Sequence, residues 1–347
     1  MPVFGENGEY AGTIGLSPAA ESAPLPPKMN APSDPRLGMV LTPPDAHHLA
    51  LARQAGVSEY VTRYGPVNTA ERFAREHERI AAAGLRLSVV EGYLPMRPVI
   101  LGEPARDEAI GEIRRLLETM GKHGVEILCA NFMLSDWTRT AFDLPTRGGA
   151  LTNGFRLGEG PEVPREDRRT AAALWENLAY FLERVLPVAE SCGVRLAMHP
   201  DDPPLPTLGG GDQILYCPEA FERLLNLSES PALGVCFCQG TFSAMGAEIP
   251  ALIRRFGSRI HYVHFRDLRG TPEAFTETFH DDGQTDMAAA MRAYRQIGFR
   301  GILRPDHVPL MAGESGPADG YSMLGRLFAA GYIRGLLDAT RDGMAAE

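Results

Sequence analysis

Four side chains of metal-ligating type stand directly after short apolar runs in the second half of the chain. They are His199, Cys238, His264 and Asp306. Two imidazoles, a thiol and a carboxylic acid suit a divalent first-row metal such as Mn²⁺, Fe²⁺, Co²⁺ or Zn²⁺ better than Ca²⁺ or Mg²⁺. A metal held there would keep the thiol as a thiolate and act as a Lewis acid on a substrate oxygen. These residues predict a catalytic metal site if the fold brings them together.

The apolar runs before these residues are typical of strands, and the stretches between them are typical of helices. The runs cover residues 194–198, 233–237, 260–263 and 301–305. Earlier strands are predicted near residues 38–42, 59–62, 85–90 and 125–130. Strand–helix alternation with polar residues at the strand ends is typical of a (β/α)₈ barrel, whose chemistry lies at the carboxyl ends of its strands. The sequence predicts an α/β protein with one TIM barrel domain over residues 37–342.

Two segments fall outside this alternation. Residues 1–36 carry seven prolines and show little periodicity, so we expect a flexible N-terminal extension. Residues 135–166 form a glycine-rich connection that is longer than usual, and such loops are usually lids or binding loops. A long helix from residue 168 to about 192 follows, and a last helix is predicted from Tyr321 to Thr340. No second domain is predicted.

Two groups near the predicted metal site could move protons. His307 directly follows Asp306, and Tyr321 lies in a Gly-Tyr-Ser segment before the last helix. Imidazole and phenol groups both serve as general acids and bases in enzymes. Tyr321 also has an ordinary interpretation as an amphipathic helix residue. We therefore expect His307 and Tyr321 to form an acid–base pair, without an assignment of which is the acid.

Other polar residues at the same rim are candidates for binding a substrate. Glu91 ends the third predicted strand and Asn131 follows the fourth, where both could bind hydroxyls or a carboxylate. Arg304 and Arg139 are the expected partners of a substrate carboxylate, because a guanidinium binds one through two parallel hydrogen bonds. These four residues are the predicted substrate-binding set.

The ligand candidates have structural interpretations as well. His199 can be an exposed turn residue, and Cys238 a small buried hydrophobic residue. His261 precedes His264 by three positions, so we expect it on the opposite face of the strand with a structural role. We also expect Cys236 and Cys238 to point to opposite sides of their strand, so that they do not chelate as a pair.

Composition excludes several classes of protein. The 347 residues are 44% hydrophobic, which is enough for a large core, and no apolar run approaches the roughly 18 residues of a membrane span. A net charge of −10 argues against a nucleic-acid or anionic-membrane surface, since both need a basic face. Five scattered cysteines do not fit a disulfide framework, and the N-terminus lacks a secretory pattern. We expect a cytoplasmic protein with a small-molecule partner, assembled as a homo-oligomer, either dimer or tetramer.

In order and spacing, these residues resemble the mannonate dehydratase family of the xylose-isomerase-like barrel superfamily. The resemblance covers roughly residues 85–340. Its most specific parts are the segments His-Pro-Asp-Asp-Pro-Pro at 199–204, Arg-Pro-Asp-His at 304–307 and Gly-Tyr-Ser at 320–322. Further matching stretches are Val90-Glu91, Asn131-Phe-Met133, Cys238 and His264-Phe-Arg266.

The resemblance implies a reaction and a role for each residue. The reaction is the removal of water from D-mannonate, a six-carbon sugar acid, to give 2-keto-3-deoxy-D-gluconate with Mn²⁺ or Fe²⁺ bound. Of the two neighbouring cysteines, the resemblance selects Cys238. The implied metal ligands are His199, Cys238, His264 and Asp306, and the implied acid–base pair is His307 and Tyr321.

Other stretches depart from the family pattern. The family's first strand carries an Arg-Trp-Tyr/Phe-Gly pattern that helps to frame the substrate, whereas residues 37–44 here read Leu-Gly-Met-Val-Leu-Thr-Pro-Pro. The connection after the fourth strand is shorter, Val308-Pro309 replaces Gly-His, and Phe328 replaces a lysine. Two alternatives stay open: a sugar or keto-sugar isomerase or epimerase with the same metal and base, and a sugar-acid-binding barrel without catalysis.

Overall fold

Eight parallel strands close into a barrel in the part of the chain that the computed structural model describes, residues 34–134 and 138–341. Around the barrel each strand pairs with the next barrel strand along the chain, and the last pairs with the first. The predicted TIM barrel is confirmed. The barrel strands are β1 (Arg36–Val40), β2 (Glu59–Thr62), β3 (Arg86–Glu91), β4 (Ile127–Ala130), β7 (Arg195–Met198), β10 (Leu233–Cys238), β11 (Ile260–Phe265) and β14 (Ile302–Pro305).

Helices cover the outside of the barrel, and local sequence sets their ends. In α2, the Thr69 side chain accepts the backbone N–H of Arg72 and so caps the first turn. The same helix buries Phe73 and Ile80 against the barrel. The helices are α1 (Ala46–Gln54), α2 (Ala70–Ala82), α3 (Arg97–Leu101), α4 (Arg106–Lys122), α5 (Ala171–Cys192), α6 (Pro218–Leu225), α7 (Gln239–Ala244), α8 (Ile249–Phe256), α9 (Met287–Gln296) and α10 (Met323–Ala339).

A second sheet of four antiparallel strands stands beside the barrel, in the order β12-β13-β6-β5. Two of its strands lie inside residues 135–166, which the sequence had indicated as an irregular loop, and residues 135–137 lie outside the described part. That interpretation was incomplete, because alternation in short strands is easily hidden by glycine and proline. The strands are β5 (Ala141–Pro145), β6 (Leu151–Arg156), β12 (Leu268–Thr271) and β13 (Ala274–Glu277). Short strands β8 (Thr207–Leu208) and β9 (Gly211–Asp212) form a separate hairpin.

Two apolar layers hold these elements together. A large layer lies between the strands and the helices, and a small one fills the barrel itself. Alternating residues from all eight strands meet inside a barrel of this kind. The inner layer consists of Val40, Val61, Val89, Ile127, Cys129, Ala197, Cys236, Tyr262 and Ile302.

Most of the predicted N-terminal extension, residues 1–36, lies outside the described residues. Asp34, near its end, is buried and accepts hydrogen bonds from Arg295 at 2.9 Å and from Arg341 at 2.6 Å. Residue 34 is thereby tied to α9 and to the end of the barrel domain. Among the described helices, none is long and apolar enough to cross a membrane.

β10 and β11 pack so closely at Gly234 that one added methyl group should destabilise the fold. A Cβ at Gly234 would approach the Arg259 carbonyl oxygen to 2.5 Å and would also meet the His261 ring. We expect Gly234→Ala to lower the free energy of unfolding by about 1–3 kcal/mol, the usual cost of overpacking. Gly335→Ala is the control, since no atom lies within 4 Å of the added Cβ in α10 and alanine favours a helix. Thermal unfolding of both variants tests this, and equal melting temperatures would contradict it.

Candidate metal centre and active site

The four predicted metal ligands converge at the carboxyl end of the barrel. Nε2 of His199 lies 3.2 Å from Nδ1 of His264, which lies 3.6 Å from Oδ2 of Asp306. Sγ of Cys238 is 3.9 Å from the same carboxylate oxygen. Donors bound to one ion at 2.0–2.3 Å stand about 3–4 Å from each other. His199, Cys238 and His264 also form a compact group of potential ligands by themselves. The donor set and its spacing therefore fit one metal ion.

Strand pairing accounts for this convergence. Cys238 at the end of β10 pairs with His264 in β11, and His264 pairs with Arg304 in β14. Paired residues on adjacent parallel strands point to the same side of a sheet. Asp306 follows the end of β14 by one residue. The barrel register thus aligns the three neighbouring strand ends that carry these side chains.

The second nitrogen of each histidine has a partner that fixes the ring. Nδ1 of His199 lies 2.6 Å from the carbonyl oxygen of Pro200, so it carries the proton and leaves Nε2 as the electron-pair donor. Nε2 of His264 lies 3.0 Å from Oε2 of Glu91, which leaves Nδ1 facing the other ligands. Carbonyl and carboxylate partners of this kind orient metal-bound histidines and raise their basicity.

Nearby charges favour the ionised forms of the two acidic ligands. Burial raises the pKa of the Cys238 thiol, but Arg266, whose Nε lies 3.3 Å from the sulfur, and His199 outweigh burial and hold that pKa well below its ordinary value. Burial acts in the same way on Asp306, where Arg304, 2.8 Å away, and His307 hold the pKa well below normal. The site therefore presents a thiolate and a carboxylate to a cation.

The predicted acid–base residues lie in the same cavity as the ligands. This cavity measures about 280 Å³, and its lining includes His199, His264, Asp306, His307 and Tyr321. The rings of His307 and Tyr321 are 5.6 Å apart. The Tyr321 hydroxyl is 3.4 Å from Oδ1 of Asp306. Both groups can reach a molecule bound beside the metal position.

The partners of His307 define which nitrogen can react. Nδ1 of His307 lies 3.0 Å from Oε1 of Glu277 and 3.1 Å from Nη2 of Arg139, so this nitrogen is engaged by the buried network and Nε2 is the remaining nitrogen. Burial raises the pKa of Glu277, but Arg266, His307 and Arg139 outweigh it and keep the carboxyl ionised. A carboxylate that holds an imidazole in one tautomer is a common way to orient a general base.

The other predicted residues occupy different places. Glu91 and Arg304 are almost fully buried at the floor of the cavity, bonded to each other through Arg304 Nη2 at 2.6 Å. Arg139 lines the cavity too, but Asn131 lines a neighbouring one of about 600 Å³ that Arg139 also borders. Tyr321 stands in the loop before α10, which begins at Met323 and not at Tyr321 as predicted.

Sequence reasoning missed several charged residues of the site. Asp202 and Glu277 bind Arg266 between β7, β11 and the second sheet. Arg63 follows β2 and lines the cavity. Arg266 could have been found, because it lies two residues after His264 and shares its face. No sequence pattern pointed to Glu277, because β13, the strand that carries it, was not predicted.

The expected geometry of the two neighbouring cysteines was wrong. Side chains alternate along a strand, so residues two apart share a face. Cys236 belongs to the inner barrel layer and groups with Cys129 and His264, whereas Cys238 groups with His199 and His264. The two thiols thus face the same interior at different heights. Cys236 lies at a different depth along the barrel axis, and this depth separates it from the candidate metal position.

Comparison with known proteins identifies the family. The chain matches the family D-mannonate dehydratase (UxuA) over residues 41–159 and 164–347. The mannonate dehydratase of Thermotoga maritima is 35% identical over 315 residues, which are 79% of this chain and 87% of that protein. The chain belongs to the D-mannonate dehydratase family.

Solved structures agree with this membership. The crystal structure of mannonate dehydratase from Streptococcus suis serotype2 superposes with a TM-score of 0.83 at 28% identity, covering 89% of this chain and 94% of that one. D-psicose 3-epimerase from Clostridium cellulolyticum H10, solved with D-tagatose, has a TM-score of 0.58 at 14% identity over 88% of this chain and 98% of that one. The second likeness shows a shared barrel fold alone. The resemblance to the D-mannonate dehydratase family is confirmed.

Proposed function

We propose that this member of the D-mannonate dehydratase family is a hydro-lyase that converts D-mannonate to 2-keto-3-deoxy-D-gluconate. The observation that carries the proposal is the single cavity that His199, His264 and Asp306 line together with His307 and Tyr321, with Cys238 Sγ 3.9 Å from the Asp306 carboxylate. Family membership over most of the chain gives the substrate. The chemistry needs an acid–base pair beside an electrophilic centre, and the site has candidate residues for the pair and a ligand set that would hold a metal ion as that centre.

We propose His199, Cys238, His264 and Asp306 as the metal ligands, with Mn²⁺ or Fe²⁺ as the ion. Their spacing and the orientation of both imidazoles support this set. A mixture of nitrogen, sulfur and oxygen donors favours a first-row transition metal. When bound, the ion supplies Lewis-acid stabilisation of the negative charge that develops on the substrate's oxygens.

Proton transfer falls to His307 and Tyr321. The substrate's C2–H bond is adjacent to a carboxylate and therefore weakly acidic. One residue of the pair accepts the C2 proton, and the other donates a proton to the C3 hydroxyl, which leaves as water. The resulting enol takes up a proton at C3 and becomes the 2-keto acid. Glu277 keeps the His307 ring oriented throughout.

The cellular location and the oligomeric state of the protein stay predictions. A cytoplasmic location accords with the free thiols of the five cysteines. A homo-oligomer, dimer or tetramer, was also expected, and light scattering on the purified protein measures it.

The reaction is tested by incubating the Mn²⁺-loaded or Fe²⁺-loaded protein with D-mannonate and a panel of other aldonates. We expect a 2-keto-3-deoxy acid from D-mannonate, lighter than the substrate by one water molecule in a mass spectrum. An isomerase or epimerase would give a product of unchanged mass. No dehydrated product from any aldonate would sink the proposal.

The metal ligands are tested by comparing two neighbouring cysteines. We expect Cys238→Ser to weaken metal affinity at least about tenfold, because it removes the only thiolate placed beside Asp306 among the described residues. Cys236→Ser is the matched control, since its sulfur lies with Cys129 in the inner layer. Metal content by mass spectrometry after dialysis provides the measurement. Equal losses from the two variants would refute the assignment of Cys238.

The acid–base pair is tested by His307→Asn and Tyr321→Phe. Each should lower kcat by about 10²–10⁴-fold, the usual contribution of a general acid or base. Bound metal should stay near stoichiometric in both variants, because neither residue is a proposed ligand. Losses below roughly tenfold in both would place proton transfer elsewhere. Loss of metal from His307→Asn would make His307 a ligand.

A further inference from the structure

The two arginines expected to bind the substrate's carboxylate have internal partners instead. Arg139 donates through Nη1 and Nη2 to Asp202 at 3.0 and 3.1 Å, through Nη2 to Glu277 at 2.7 Å, and through Nε to Asn153 at 3.1 Å. Its side chain is 4% exposed. A guanidinium with its donors engaged in this way cannot offer a paired contact to a ligand.

Arg304 is satisfied to the same degree. Its Nε and Nη2 both donate to Glu91, at 3.0 and 2.6 Å, and its Nη1 donates to Asp306 and to the Pro305 carbonyl. Only 1% of the side chain is exposed. To bind a substrate, Arg304 would have to leave Glu91 or Asp306 buried with one charge partner fewer, which is costly. Its role in this structure is to hold those two carboxylates.

Arg63 is placed differently. It follows the end of β2, its side chain is 21% exposed, and it lines the 280 Å³ cavity together with three proposed ligands, His199, His264 and Asp306. It donates to one carboxylate oxygen, Oε1 of Glu91, and shares a hydrogen bond with the Tyr321 side chain, but no second carboxylate of the described residues forms an ion pair with it. Its guanidinium therefore retains N–H groups for an anion that enters the cavity.

Glu91 does not need Arg63 for its own neutralisation. Besides Arg63, this carboxylate accepts from Arg304, from the Tyr262 hydroxyl at 2.8 Å and from His264 at 3.0 Å. Arg304 already supplies a paired guanidinium at the same carboxylate. The charge of Arg63 is thus in excess of what the buried network requires, and it faces the cavity.

Two aromatic rings hold this guanidinium in position. The Arg63 guanidinium carbon is 5.3 Å from the ring centre of Tyr321 and 5.7 Å from that of Tyr93. Tyr93 has φ of 57°, in the left-handed region, where a residue other than glycine is strained. Strain of this type is found at ligand-binding positions. The rings reduce the entropy lost when Arg63 binds a planar anion.

We propose that Arg63 binds the carboxylate of the sugar-acid substrate, and that Arg139 and Arg304 position the catalytic groups. The proposal rests on the proposed function, because it assumes an aldonate as substrate. It places the substrate's C1 end beside Tyr321. Glu91 contacts both Arg63 and the proposed ligand His264, and so connects this end of the substrate to the proposed metal site. The class of ligand is a small monocarboxylate with neighbouring hydroxyls.

The test separates charge recognition from a structural role. D-Mannonate and its neutral amide, D-mannonamide, are titrated calorimetrically into four metal-loaded proteins that all carry His307→Asn to suppress turnover: the one with Arg63 as in the wild type, Arg63→Gln, Arg63→Lys and the control Arg97→Gln. Arg97 lines the neighbouring cavity and has its own partners, Glu103 and Asp167. For Arg63→Gln we expect a roughly tenfold to hundredfold weaker binding of D-mannonate, as for a lost charge-assisted hydrogen bond. Binding of the amide should change less than about threefold.

The remaining variants complete the design. Arg63→Lys should recover part of the affinity for the acid, since it restores the charge without the two-pronged geometry. Arg97→Gln should bind both ligands like the His307→Asn parent, and metal content should be equal in all four proteins. Equal weakening of acid and amide in Arg63→Gln would show a structural role and overturn the proposal, as would unchanged binding of both.

This outcome is independent of turnover. If the wild type binds D-mannonate but forms no 2-keto-3-deoxy acid, the proposed reaction is wrong. The comparison of binding by the Arg63 variants then still tests whether Arg63 recognises the carboxylate. If the wild type dehydrates D-mannonate, KM for Arg63→Gln should rise in parallel with the calorimetric loss. A wild type that binds neither ligand overturns the carboxylate site itself.

Discussion

The charge of Arg266 organises the mouth of the barrel. Its side chain has no exposed surface, so its positive charge must be matched by buried anions. It reaches Cys238, Asp202, Glu277 and Asp306, which come from four different elements. Removing one partner from such a buried group costs about 3–5 kcal/mol. The strand ends, the loop after β7 and the second sheet are thereby held in one arrangement.

The same charge connects structure to chemistry. Arg266 helps to keep both Cys238 and Glu277 ionised. Cys238 groups with His199 and His264 at the candidate metal position, while Glu277 contacts the proposed acid–base residue His307. Because β13 carries Glu277, the second sheet contributes to the proposed active site and is not merely a cover over the barrel. Its pairing with β6 also anchors the connection after β4.

The fold was largely predictable because its strands are short apolar runs with polar residues at their carboxyl ends. β2 agreed with the prediction at both ends, and the other barrel strands and the two helices with predicted bounds, α5 and α10, agreed to within about three residues. The proposed ligand set could be put forward for the same reason, since barrel register brings strand ends together. The hairpins of the second sheet could not, because their strands carry too few apolar residues to reveal a period. The error at Cys236 came from misapplied strand geometry, which the residue numbers alone could have corrected.

The arginine that binds the substrate could not be predicted from residue types alone. The choice depends on which arginine N–H groups already donate hydrogen bonds to internal partners. Arg139 and Arg304 have the right chemistry, but internal carboxylates take their hydrogen bonds. The first strand offers no replacement, since Val40 and Leu41 at its end are buried and apolar. The polar wall of the cavity therefore begins at β2, where Arg63 stands opposite Glu91 on the neighbouring strand. Because the buried charges already neutralise one another, Arg63 is the arginine that remains to bind the substrate's carboxylate.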